Sequence, residues 1–287
     1  MHAFPIPVVA ATQTLGPGSQ HEEESLDYLP MPHDMRTFRA PILPEPEEMG
    51  DRVAARAWLE QLLAATRRWR PGQAAFSLDM GGLAEADRLL IDQVLGEGEV
   101  SAQVSGETGT FAGPLSIQES VFAGIWRLRG RDADGLSHAD RVEVGDVPAA
   151  IRNAARSGHS VPVQAAPGPG VINAPALLAE IAEQTARPAG GTHVINLSLL
   201  PFGPEDAAWL DERLGRGRVT LLSRGYGNCR VTATGIARVW WVQYFNSQDA
   251  LILNTLEISD VPEVARASAE DLEDSAERLA EVIAWIG

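Results

Sequence analysis

Apolar residues recur along this chain in two rhythms, one helical and one alternating, and the succession of rhythms runs through twice. Between residues 52 and 68, Val53, Trp58, Leu59, Leu62 and Leu63 fall near helical spacing and predict a helix; residues 174–185 read the same way. A strand follows each, ending near Asp79 in the first pass and Ser198 in the second. A second helix is predicted over 84–95 and over 204–214, with Pro204 suited to a first helical position and Gly96 and Gly215 to the left-handed residue after a helix end. Strands rich in β-branched and aromatic residues come next: 100–104 and 219–223, 121–128 and 239–245, 142–144 and 251–258. A last helix opens on Ser268 with Asp271 three residues on, a capping-box pattern, and runs to about Trp285.

The two passes also match residue by residue, which marks an internal repeat. Residues 76–79 (Phe-Ser-Leu-Asp) line up with 195–198 (Ile-Asn-Leu-Ser), Asp87 with Asp206 and Asp92 with Asp211. Residues 95–100 (Leu-Gly-Glu-Gly-Glu-Val) match 214–219 (Leu-Gly-Arg-Gly-Arg-Val), and 142–148 match 256–262. The register drifts between these blocks, so the first copy carries a longer loop, which we place at 129–139; the alignment around Trp126 and Trp241 stays open. Helices and strands segregated in this way predict an α+β fold: two tandem related repeats, each with helices on a mostly antiparallel sheet. The strand 239–245 is apolar on both alternating faces, which favours two packed sheets or one sheet shared by the copies. The expected organisation is an extended acidic, proline-rich arm at 1–50, repeat one at 51–156, a Pro/Gly linker at 157–173, and repeat two at 174–287, closing on the terminal helix.

Composition narrows the chemistry. The formal net charge of −16 over 287 residues disfavours nucleic acid and anionic lipid and suits a basic or apolar partner; plain solubility also accounts for it. No apolar run is long enough to insert in a membrane, and residues 1–5 lack a secretory pattern, so a cytoplasmic protein is expected. Every basic side chain among the 23 Lys and Arg residues is arginine, which removes Schiff-base and phosphate-loop lysine mechanisms. The single cysteine, Cys229, and six scattered histidines offer no metal-ligand spacing; no metal, cofactor or catalytic residue is expected.

Comparing the copies separates what the fold requires from what is extra. After the first paired strand, copy one reads Ser-Gly-Glu-Thr-Gly at 105–109, whereas copy two adds Arg224, Tyr226, Asn228, Cys229 and Arg230 around its turn glycines. An idiosyncratic hairpin explains these residues, and so does a recognition loop of guanidinium forks, phenol, amide and thiol. The two arginines could favour a Cys229 thiolate, with His193 approaching across the sheet; a buried, inert thiol is the alternative. Trp240, Trp241, Gln243 and Asn246 form a second departure, since copy one has only Trp126 there. Core packing or a partner platform would explain them. In the arm, Tyr28, Met31 and Met35 are further candidates for partner contact, by strand addition or otherwise.

Residues 195–201, 222–230, 239–247 and 252–257, with 16–20, 28–32 and 34–38 of the arm, resemble the HupH/HyaF/HoxQ hydrogenase expression and formation proteins over most of the chain. The resemblance implies an accessory role in assembling an uptake nickel–iron hydrogenase, one that matters most when oxygen is present. It implies association with the iron–sulfur small-subunit precursor before twin-arginine export, alongside a thioredoxin-like accessory protein. It carries over no enzymatic activity. An iron–sulfur scaffold using Cys229 and an uncharacterised maturation enzyme are the competing expectations.

Overall fold

The computed structural model describes residues 52–108, 110–162, 166–188, 191–225 and 227–286. Tyr28, Met31, Met35 and Tyr226 lie outside the described residues, as does the whole expected arm. The first copy runs α1 (Val53–Arg68), β1 (Phe76–Asp79), α2 (Glu85–Leu95), β2 (Val100–Val104), β3 (Leu115–Glu119), β4 (Ile125–Arg131), β5 (His138–Val144) and α3 (Ala149–Arg156). The second runs α4 (Ala174–Ala186), β6 (His193–Asn196), a 3-10 turn (Leu197–Leu199), α5 (Pro204–Leu214), β7 (Arg216–Ser223), β8 (Asn228–Thr234), β9 (Val239–Phe245) and β10 (Leu251–Ile258). It closes with a 3-10 turn (Glu263–Ala265) and α6 (Ala269–Ile286).

The fold is α+β, and the described strands form one antiparallel ten-stranded sheet in the order β1-β5-β4-β3-β2-β7-β8-β9-β10-β6. The second half of that order mirrors the first. At the seam, β2 pairs with β7: Val100 opposite Ser223, Ala102 opposite Leu221, Val104 opposite Val219. Val219 is the repeat equivalent of Val100, and Ser223 of Val104. The pairing therefore maps onto itself, and a local two-fold passes through the Ala102–Leu221 pair.

Strand pairing also fixes the repeat register. Val104 and Leu115 face each other in copy one, as Ser223 and Cys229 do in copy two. Trp126 pairs with Glu119 and Trp240 with Ala233, so Trp126 corresponds to Trp240. The extra residues of copy one thus lie in the β2–β3 connection, not at 129–139, and the β4–β5 and β9–β10 turns have equal length. The first strands also shift by two: Phe76 faces Val144 and His193 faces Ile258, so Phe76 matches His193 rather than Ile195. The Leu-Gly-x-Gly-x-Val motif has a geometric cause. Gly96 and Gly215 end α2 and α5 at φ 56° and 63°, and a Cβ on Gly98 or Gly217 would collide with the carbonyl of Ser120 or Thr234.

Side chains alternate between two faces of the sheet. On the first face, Ala102, Val104, Ile117, Trp126 and Leu128 join Val219, Leu221, Val231, Trp240 and Val242 in a core that crosses the seam, capped by Ile151 of α3 and Val261 and Ala265. On the second face, α1, α2 and α6 pack Trp58, Leu59, Leu62, Ile91 and Leu279 against Ile125, Val142 and Val144. The segments after β5 and β10 cross over. His159 donates to the Gly235 carbonyl (2.9 Å) and Arg238 to that of Ala155 (3.1 Å), while Ala267 donates to that of Asp146 (2.9 Å). Two ion pairs repeat the exchange. Arg152 of copy one meets Asp260 of copy two, and Arg266 of copy two meets Asp146 of copy one at 3.0 Å. Arg152 also bonds Asp146 at 2.8 Å.

Candidate functional site

The residues singled out in copy two fall on β7–β10, and the alternation of those strands sorts them. Cys229, Tyr244, Trp240 and Val242 share the first face; Asn228, Arg230, Trp241, Gln243 and Phe245 share the second, with Arg230 opposite Gln243. The β7–β8 and β9–β10 turns emerge at the same end of the sheet, so Arg224, Asn228 and Asn246 come together there. Trp241 lies four residues along β9 from Phe245, the partner of Asn228, roughly 13 Å in from the turns.

Arg224 is exposed, and its backbone N–H donates to the Glu99 carbonyl at 3.2 Å. Asn228 is half-buried. Asn246 is half-buried too, and its side-chain oxygen accepts from Gln248 and Ala250 N–H at 2.8 and 3.0 Å, which shapes the turn. Trp241 is half-buried, and its indole N–H is enclosed without a hydrogen-bond partner among the described residues. Its equivalent in copy one is Arg127, which is tied to Asp140 (2.6 Å) and Asp92. The same position thus closes with ion pairs in one copy and leaves an indole with an unmatched donor in the other.

Four of the candidates are core residues, and their expected surface role is corrected accordingly. Trp240 is fully buried and donates to the Ser259 carbonyl at 3.3 Å, just as Trp126 donates to Gly145 at 2.9 Å. Arg230 is 4% exposed; its guanidinium lies 5.3 Å from the Phe245 ring centre, and burial pulls its pKa below the usual arginine value. Gln243 is buried beside it. Cys229 is 1% exposed and occupies the position of Leu115. Burial pushes its thiol up to about 12, against a lowering hydrogen bond from Tyr244, with Glu257 adding to the rise. The neighbouring arginines therefore do not create a thiolate. His193 is not its base either: it sits on the opposite face at the far end of β6 and bonds Glu180 at 2.7 Å. Among the described residues no three His, Cys, Asp or Glu side chains gather to hold a metal ion, and no helix is long and apolar enough to cross a membrane.

The sequence pattern did not single out Tyr244, which pairs with Cys229, or Glu257, which lies on the same face and whose charge reaches the thiol. The alternation along β9 and the correct repeat register would have placed both there.

The conserved C-terminal region of the HupH hydrogenase expression proteins matches the chain twice, over residues 52–157 and 171–286. The hydrogenase expression/formation protein HoxQ of Cupriavidus necator is 49% identical over 100% of this chain and 99% of its own length. The hydrogenase-1 operon protein HyaF of Escherichia coli K12 is 32% identical over 95% of each chain. The solved hydrogenase expression protein HupH of Thiobacillus denitrificans is 32% identical, with a TM-score of 0.36 over 39% of this chain and 95% of its own.

Proposed function

The chain belongs to the HupH hydrogenase expression protein family, and from that premise we propose that it is an assembly factor that binds the iron–sulfur small-subunit precursor of an uptake nickel–iron hydrogenase. Membership carries a role in hydrogenase maturation; the client, the binding mode and the place of action are the proposal. In this reading the chain acts in the cytoplasm, before export, with a thioredoxin-like accessory protein as co-worker, and it works by holding a polypeptide rather than by turnover.

One observation carries the reading: the two copies share a scaffold, yet the second leaves Arg224 exposed at its turns and, further along the same face, a half-buried Trp241 where the first has the ion-paired Arg127. A guanidinium fork and a half-buried indole are the side chains most often found at the energetic centre of protein interfaces.

The test is co-purification of a tagged small-subunit precursor with the chain from cells expressing both. Arg224→Ala and Trp241→Ala should each weaken capture with melting temperature held. Full capture by both variants removes the mapped surface, and no capture by the wild type removes the reading itself.

A further inference from the structure

We infer that the open edge strand β6 and the first-face strip beside it form a docking surface for an extended segment carrying alternate apolar and basic side chains. This rests on the reading above and names the kind of client segment that the surface takes.

Strand β6 pairs only with β10 among the described strands, so its outer edge is open. An open edge offers backbone donors and acceptors to an added strand. On the first face next to it stand Val194, half exposed at 50%, and the partly buried Leu253 and Tyr244. Leu199, in the turn after β6, and Ile252, at the start of β10, are exposed too, at 81% and 62%.

The repeat shows that the fold does not demand this strip. In copy one the place of Val194 is taken by Ser77, which faces Glu143 as Val194 faces Glu257. The longer β2–β3 loop also folds Phe111 over Gly130, the equivalent of Tyr244, and Arg141 lies 5.1 Å from the Phe111 ring centre. Copy two has the short turn and no such cover among the described residues.

Charge complementarity identifies the occupant. In copy one, Glu143 accepts the Ala149 N–H at 3.0 Å and feels Arg141. Its counterpart Glu257 faces the opposite situation. Thr255 replaces Arg141, Glu263 replaces Ala149, and no donor or cation among the described residues partners Glu257. Two carboxylates thus stand beside an apolar strip with no compensating cation of their own, in a chain of net charge −16. An arginine or lysine on an incoming strand supplies that cation, and its alternate apolar residues cover Val194 and Leu253.

The test uses the full chain and a fluorescein-labelled decapeptide of alternating valine and arginine, followed by anisotropy. The peptide should bind; Val194→Lys and Glu257→Arg should each weaken it at least tenfold; and Ser77→Lys, the same charge change at the matching site of copy one, should not. A valine–glutamate decapeptide should not bind. Equal binding by the Val194→Lys and Ser77→Lys variants overturns the proposal, as does absence of binding. Self-association that Val194→Lys abolishes overturns it in favour of a second copy. A photo-crosslink from position 194 to residues 1–51 of the same chain overturns it in favour of that segment. Peptide binding is read without the precursor, so failure here and failure of precursor capture are separate results.

Discussion

Glu119 offers the sharpest test of how the sheet ends are built. It is 7% exposed, accepts the Gly124 N–H at 3.0 Å, and has its pKa pushed from 4.5 up to about 7. Burial is the main cause, with Glu99 and Asp271 adding repulsion against the lowering bond from Gly124. At about 1.4 kcal/mol per pH unit, that climb corresponds to roughly 3 kcal/mol. The sign follows from the raised folded-state value. The protonated group is preferred in the fold, so this contribution is complete below pH 4.5 and is lost as pH rises through 7. Glu119→Gln keeps a carbonyl oxygen for Gly124 and removes the titration. Copy two, with Ala233 at the matching position, shows that the scaffold needs no carboxylate there. The variant should therefore gain stability over wild type, and the gain should grow by about 1.5 kcal/mol between pH 6 and pH 8.5. Denaturant unfolding at the two pH values measures it. A difference that stays flat or shrinks across that interval refutes the assignment.

Three further outcomes follow from the packing. Asp146→Asn leaves Arg152 and Arg266 facing each other without their shared carboxylate; with those side chains partly solvated, the cost should be about 2 kcal/mol, read as a melting point lower by roughly 4–8 °C. Cys229, buried with its thiol near 12, should resist an aromatic disulfide reagent at pH 8 at least ~100-fold better in the folded chain than after unfolding. Gly124→Ala places a Cβ against Leu272 at a backbone φ of 79°; we expect a loss of about 2–3 kcal/mol and faster amide exchange across α6.

Much of the scaffold was legible because local signals agree with the global fold. Helices α1, α2, α4 and α5 announce themselves by apolar spacing, α2 and α5 also by their end glycines, and Ser268 bonds Asp271 through its hydroxyl at 2.8 Å as the capping pattern implies. Helix α3 escaped notice because its buried face is largely alanine, which gives little contrast along the chain. The sheet order could not be read, since pairing β1 with β5 and β6 with β10 depends on contacts between distant residues. At the site, the turn residue Arg224 behaved as its position suggests. Arg230 did not: a charged residue in an alternating strand reads as solvent-facing, yet it is buried against the Phe245 ring. The place of Cys229 became plain once strand pairing set it level with Leu115.

The self-mapping seam at Ala102 and Leu221 bears on how such a chain can diversify. In a dimer of identical subunits, any substitution appears on both sides of the axis, so a new contact surface must be tolerated twice. Joining the halves in one polypeptide lifts that restriction: one side can keep its charges locked for rigidity while the other drifts toward a guest. The exchanged tails then ensure that the divergent side cannot loosen without loosening its sibling, so stability and recognition are inherited together by a single cooperative unit.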